Sequence, residues 1–164
     1  MKVVKRTVVL IIFAAGFCSM ASAQSLKYAN GSELMRKLSE NTYELKNGGV
    51  LSYKIENNKY WILDKDMQTP QQENHIGYCT LVNGEYVYYS RSNNIVGAYN
   101  ISQGRYYGHT AQGNDIIKSV SLAVLNKGVL LVETGTDTPA RYTVDNGFDP
   151  VIIGFYLLNS LIIH

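Results

Sequence analysis

The fold is decided by the last sixteen residues, Asp149-Pro150-Val151-Ile152-Ile153-Gly154-Phe155-Tyr156-Leu157-Leu158-Asn159-Ser160-Leu161-Ile162-Ile163-His164. Asp149 is a good N-cap and Pro150 a good first helical residue, since proline lacks only a donor that would be unpaired there. The sequence therefore predicts a helix over residues 150–163, with no charge and no polar stripe. A helix that is apolar all round is buried on all sides. At about 1.5 Å per residue it reaches roughly 22 Å, too short to cross a bilayer, so we expect the rest of the chain to enclose it.

The chain before this helix has the pattern of a hairpin array. Runs of Tyr, Val and Ile alternate with Asn- and Gly-containing pairs, which tolerate the positive φ of tight hairpin turns. About ten strands are predicted, near residues 42–46, 49–56, 59–64, 75–82, 85–90, 94–100, 104–110, 115–125, 128–134 and 139–144.

Successive hairpins form an antiparallel meander, which hides its edges when it closes. A barrel of ten strands is too wide to be filled by its own side chains. We therefore predict a mainly β fold, an antiparallel barrel of about 10–12 strands around the buried C-terminal helix, with Ile153, Leu157 and Leu161 in the core.

This single domain covers residues 41–164. Residues 24–40 are predicted as a lead-in with a short helix over Ser32–Glu40, because Leu34, Met35 and Leu38 have helical spacing.

The N-terminus has the features of a secretory leader. Lys2, Lys5 and Arg6 precede the apolar stretch 8–17, and Ala21-Ser22-Ala23 has the small-x-small pattern of a cleavage site. We expect residues 1–23 to be removed before Gln24, which places the mature protein in the periplasm or outside the cell.

The charge of the mature chain excludes one class of function. Fifteen basic and 13 acidic residues give the full chain a net charge of +2, but the leader removes three of the basic ones. The mature chain of about 141 residues is then close to −1 and has no basic field for nucleic acid. Its one cysteine, Cys79, excludes an internal disulfide and is typical of a buried small residue.

Two family resemblances arise at this point. The run Ala140–Asp145, followed by Phe148-Asp149-Pro150 and the apolar helix, resembles the end of the tubby C-terminal-like superfamily, which includes LURP-one-related proteins and phospholipid scramblases. The segments Lys46–Tyr53 and Asp64–Asp66 are similar to its strand–turn–strand units. The resemblance implies a closed twelve-strand barrel around a hydrophobic helix, and lipid binding or action at membranes. Bacterial β-flower-like repeat proteins are similar in their Gly-x-Tyr hairpins.

Candidate site residues are few. The chain has 13 tyrosines, which suit the half-buried face of a barrel and could also form a contact surface. Arg105, Tyr107 and His109 alternate in one predicted strand and so share a face; they are the predicted binding patch.

No catalytic residue and no cofactor is predicted, because a nucleophile-elbow motif is absent. No metal site is predicted either, since a zinc site would need His75, Cys79, His109 and His164 to converge from distant positions.

Three functional classes stay open. We expect an exported, non-catalytic binding or structural module whose partner is an envelope or extracellular protein. The alternatives are a barrel that binds a lipid or small ligand, which the charge does not support, and an uncharacterised hydrolase.

Overall fold

The computed structural model describes residues 24–64, 75–112 and 115–162, so the predicted leader lies outside the described residues. The described chain forms twelve antiparallel strands that close into one barrel, in which each strand pairs with its neighbours in sequence and β1 pairs with β12. The strands are β1 Ser25–Tyr28, β2 Glu33–Ser39, β3 Thr42–Leu45, β4 Val50–Glu56, β5 Lys59–Asp64, β6 His75–Val82, β7 Glu85–Ser90, β8 Ile95–Asn100, β9 Arg105–Gln112, β10 Asp115–Asn126, β11 Val129–Val132 and β12 Ala140–Val144. The helix α1, Pro150–Ile162, follows β12. The predicted barrel around a C-terminal helix is confirmed.

Three of the hairpins turn on two residues with positive φ. Asn57 and Asn58 have φ of 51° and 61°. The pairs Asn83-Gly84 and Lys127-Gly128 also have positive φ at both positions, with φ of 49° at Lys127. Two consecutive residues with positive φ match the twist of the flanking strands. The strand pairing therefore continues to the tip of each hairpin, as in the pair Glu56–Lys59 beside the first of these turns.

The N-terminal prediction is wrong. Residues 25–39 form the strands β1 and β2 instead of a lead-in and a short helix. The register shifts opposite Leu34 and again at Leu38, so both residues lie at β-bulges. A bulge breaks the two-residue alternation of a strand. Leu34 and Met35 are consequently both buried, a pattern that resembles one face of a helix.

Helix α1 lies inside the barrel. Its first half, Val151–Phe155, is buried at every position. The hydroxyl of Tyr88 donates to the carbonyl of Val151 at 2.8 Å and the hydroxyl of Tyr106 donates to Pro150 at 2.7 Å. The helix shares one hydrophobic core with residues from strands around the barrel wall.

The predicted helix core is confirmed in part. Ile153 is fully buried, Leu157 is partly buried and its neighbour Leu158 is fully buried instead. The side chain of Leu161 and residue 163 lie outside the described residues. Within the described part of the chain, no helix combines the length and the hydropathy that a membrane span requires.

Candidate functional site: the tyrosine-lined mouth

The two ends of the barrel differ. At one end lie the turns that follow β2, β4, β6, β8 and β10, together with the segment Asp145–Asp149 that leads from β12 into α1. We call this end the mouth. Because the helix starts here and runs inward, the side chains around its first turn lie at the mouth.

Tyrosines line the inner wall of the mouth. Neighbouring rings lie 6.4 Å apart for Tyr43 and Tyr53, 5.5 Å for Tyr53 and Tyr60, and 5.8 Å for Tyr60 and Tyr86. Tyr86 pairs in register with Tyr99, whose ring stacks on Tyr106 at 4.4 Å. We call this row of six rings, across β3 to β9, the tyrosine arc: Tyr43, Tyr53, Tyr60, Tyr86, Tyr99 and Tyr106.

Asp149 lies in front of this arc. It is the N-cap of α1, and its Oδ1 accepts the N–H of Val151 at 2.9 Å. Its carboxylate affects one group on each of seven consecutive strands, in every case raising a pKa that burial already raises: Tyr43, Tyr53, Tyr60, Cys79, Tyr88, Tyr99 and Tyr106. Its chain neighbours place Asp149 between the two ends of the arc, since Phe148 packs on Tyr43 of β3 and the carbonyl of Pro150 accepts from Tyr106 of β9.

The environment of Asp149 does not fully compensate for its charge. Burial raises the pKa of Asp149, while the Val151 N–H and the charge of Lys37 lower it, and the net shift is upward. Lys37 pairs in register with the inward-facing Tyr43 and so faces the lumen as well. One helix donor and one lysine are thus not enough to offset the burial of this carboxylate.

An apolar rim lies above the arc. Ile55 pairs with Tyr60 and Leu81 pairs with Tyr86, so both face the inside of the barrel. They are nevertheless 61% and 53% exposed, and Ile101, at the next hairpin, is 46% exposed. Large apolar side chains on the inner face are normally covered, and here the helix begins too deep to cover them.

A cavity of about 850 Å³ opens on the side of the mouth next to Ile101. Tyr99 belongs both to its lining and to the tyrosine arc, and Phe148 and Pro150, on either side of Asp149, line it too. Its volume falls within the usual range of small-molecule sites, about 300–1,000 Å³.

Two buried polar atoms at this end of the barrel have no partner within the described residues, the Oε1 of Gln24 beside Gly147 and the hydroxyl of Tyr43. The side chain of Tyr43 is 0% exposed, and its hydroxyl makes no hydrogen bond within the described part of the chain. Its ring packs edge-on against Phe148 at 5.3 Å, next to Asp149. A buried hydroxyl without a partner costs about 1–3 kcal/mol, a cost that a hydrogen-bonding group reaching this oxygen would remove.

The predicted patch lies elsewhere. Arg105, Tyr107 and His109 share the outer face of β9, since the alternating residues Tyr106 and Gly108 are buried. Arg105 is exposed and the hydroxyl of Tyr107 donates to Gln103 at 2.9 Å. Burial lowers the pKa of His109. The three side chains share a face as predicted, but no hydrogen bond, ion pair or ring contact joins them within the described residues.

A second aromatic cluster covers the outside of β5 to β7. The ring of Trp61 lies 4.9 Å from Tyr78 and 4.7 Å from His75, and Tyr78 stacks on Tyr89 at 4.8 Å. Lys59 lies over both Trp61 and Tyr78. Tyr78 is only 7% exposed, so these rings mostly cover one another and stabilise the sheet.

Two of the residues considered for zinc, His75 and Cys79, lie on different faces, and His164 lies outside the described residues. Cys79 is fully buried in the core, where burial raises the pKa of its thiol, whereas His75 packs outside against Trp61. No group of three or more His, Cys, Asp or Glu with metal-site geometry occurs within residues 24–64, 75–112 and 115–162.

Sequence reasoning missed the mouth. The excess of tyrosine is visible in the sequence, but which tyrosines face inward depends on the strand register. A usable signal was present in the spacing from each turn, since Tyr60 and Tyr86 both stand two residues after a two-residue hairpin turn.

No protein-family model, no curated protein and no solved structure matches the chain.

Proposed function

We propose that this protein is an exported, non-catalytic binding module that holds a small ligand in the mouth of its barrel. The observation that carries the proposal is the exposure of Ile55 and Leu81 on the inner face of the strands. Exposed apolar groups in a concave site, beside a few polar groups, are the usual composition of a ligand pocket. Export is supported by the leader features of residues 1–23.

The mouth is a better candidate than the two outer surfaces. The rings of the outer aromatic cluster are in contact with each other and with Lys59. The predicted patch on β9 does not line the 850 Å³ cavity, whereas the mouth combines this cavity with exposed apolar groups and a half-buried carboxylate. A small ligand fits this end better than a protein surface, because the polar groups lie below the rim.

The test compares variants of the mature protein by native mass spectrometry after incubation with a small-molecule extract of the cell that exports it. We expect wild-type protein to retain a bound mass, and the Ile55→Asn/Leu81→Asn variant to lose it. The Val120→Asn/Leu131→Asn variant, which changes exposed apolar residues on β10 and β11, should retain it. Equal retention by all three proteins, or no bound mass at all, would contradict the proposal. In that case a protein partner is the stronger candidate.

We further propose a distant relationship with the tubby C-terminal-like superfamily. The closed twelve-strand barrel and the helix inside it support this relationship, because both are what the resemblance implies. Profile searches seeded with homologues of this chain would test it; consistent alignment to an unrelated barrel family would contradict it.

A further inference from the structure

We propose that the ligand held in the mouth is an organic ammonium ion. Its N–H groups would donate to the carboxylate of Asp149 and to the hydroxyl oxygen of Tyr43, and its apolar chain would lie against the rim. This inference rests on the proposed function, and it adds the chemical class of the ligand.

The first argument is the charge at the centre of the mouth. Asp149 stands between the two ends of the tyrosine arc, because Phe148 packs on Tyr43 and the carbonyl of Pro150 accepts from Tyr106. Only Oδ1 is engaged by the helix N–H. A ligand cation would supply the compensation that Lys37 and Val151 leave incomplete, because a buried charge is stable only when it is paired.

The second argument is the tyrosine arc. Aromatic rings attract cations through their π faces, and several rings around one site are the usual way to bind an organic ammonium group. Tyr53, Tyr60 and Tyr86 are half-buried and therefore accessible from the mouth.

The third argument is the hydroxyl of Tyr43. A neutral hydroxyl can accept a hydrogen bond, and a primary ammonium group has three donors to give. A carboxylate and a hydroxyl acceptor in one site favour a primary ammonium group over a quaternary one, which has no N–H.

The rim determines what is attached to the ammonium group. Ile55, Leu81 and Ile101 offer apolar surface above the polar groups. A short alkyl chain placed there would cover these side chains. An alkylamine pairs its ammonium group with the polar groups and covers the rim with its alkyl chain, whereas an inorganic cation would leave the rim exposed.

The experiment uses three matched probes with six-carbon chains: hexylammonium, 1-hexanol and hexanoate. Isothermal titration calorimetry of the full mature protein at neutral pH should show that hexylammonium binds at least about tenfold more tightly than hexanol, since a charge-assisted hydrogen bond contributes this much or more. Asp149→Asn should reduce hexylammonium binding to the level of hexanol. Asparagine caps a helix as well as aspartate does, so thermal unfolding should confirm that the variant is folded.

Two controls separate the site from general effects. Asp137→Asn removes an exposed carboxylate between β11 and β12, at the opposite end of the barrel, and should leave binding unchanged. Tyr43→Phe should weaken hexylammonium more than hexanol, whereas Tyr89→Phe on the outer face should affect neither.

The ammonium group could come from a free amine or from a lipid headgroup, and vesicles distinguish the two. Phosphatidylcholine vesicles with and without phosphatidylethanolamine are sedimented with the protein. Sedimentation that requires phosphatidylethanolamine and is lost in Asp149→Asn identifies a headgroup; binding of hexylammonium alone identifies a free amine.

The proposal is overturned if hexanol binds as tightly as hexylammonium, if Asp149→Asn binds like wild type, or if no probe and no vesicle binds. If the native mass spectrometry still shows a ligand that depends on Ile55 and Leu81, the ligand class is wrong and the binding function stands. If that ligand is absent too, both proposals fail.

Discussion

Two glycines determine how closely helix α1 approaches the barrel wall. A Cβ at Gly97 on β8 would lie 2.6 Å from the Cδ1 of Leu158, and a Cβ at Gly154 would overlap the ring of Tyr88. The absence of these two side chains allows the helix to contact β7 and β8 directly. The same close approach brings the Tyr88 hydroxyl within 2.8 Å of the Val151 carbonyl.

We predict that Gly154→Ala destabilises the protein, although alanine is the better helix former. In an exposed helix the change would stabilise by about 1 kcal/mol. Here the overlap with Tyr88 forces the ring or the helix to move, at a cost of about 1–3 kcal/mol. Urea unfolding should show a net loss of stability. In a Tyr88→Leu background, the same change should be neutral or stabilising. A stability gain for Gly154→Ala alone would mean that α1 is not held against β7.

The barrel contains eleven pairings between consecutive strands and one seam, and the seam is the only pairing that joins the ends of the described chain. Asp145, directly after β12, accepts hydrogen bonds from the N–H and hydroxyl of Ser25 at 3.0 and 3.1 Å. Lys27 lies 3.5 Å from the same carboxylate. The hairpins are held by local turns, whereas closure of the barrel depends on contacts between distant residues, namely the β1–β12 pairing and the Asp145 contacts.

We predict that Asp145 makes the stability of the seam depend on pH. Burial raises the pKa of Asp145, but the Ser25 hydrogen bonds and the charge of Lys27 outweigh it and lower the pKa below its ordinary value of 3.8. A lowered folded-state pKa means that the ionised group stabilises the fold above 3.8 and that this contribution is lost as the pH falls through the folded value.

Asp145→Asn should therefore be less stable than wild type at neutral pH, and the difference should shrink as the pH falls below 3.8. Urea unfolding of both proteins over this range measures it. Asp137→Asn, which changes an exposed carboxylate away from the seam, should follow wild type throughout. A difference between Asp145→Asn and wild type that stays constant with pH would show that the charge of Asp145 does not hold the seam.

The strands from β3 onward were predictable because their turns carry a local signal. The Asn and Gly pairs have the positive φ values that their residue types favour. The strands β1 and β2 were not predictable in this way, because the bulges at Leu34 and Leu38 remove the alternation by which a strand is recognised. The closing pair β1–β12 is non-local, and no turn residue encodes it.

At the scale of the whole molecule, the site depends on features that no single segment contains. Asp149 was predictable as an N-cap, but its position in front of the tyrosine arc requires the helix to enter the barrel at the mouth. The predicted patch of Arg105, Tyr107 and His109 shares the outer face of β9, and alternation alone identifies residues that share a face without saying which face is inside. Register and closure supply that information.

The depth of the helix in the lumen connects the stability of the barrel with its proposed function. The fully buried Ile153 and Leu158 belong to the same core as residues from strands around the wall. Because α1 begins at Pro150, it fills the lumen and leaves the mouth open. The helix therefore both supports the wall of the barrel and positions Asp149 at the mouth.

We predict that the barrel does not fold without the helix. A chain that ends at Phe148 would expose the apolar residues that α1 covers and would lose the hydrogen bonds of Tyr88 and Tyr106 to the helix carbonyls. Leu158→Ala alone should cost about 2–5 kcal/mol, as for other fully buried leucines, and a marginally stable domain has only about 5–15 kcal/mol in total. We therefore expect the truncated mature protein to be insoluble or molten, with no cooperative thermal transition, whereas Leu131→Ala, at an exposed leucine of β11, should unfold like wild type. A truncated protein that unfolds cooperatively near the full-length temperature would contradict the prediction, because the helix would then be a detachable element and not the core of the barrel.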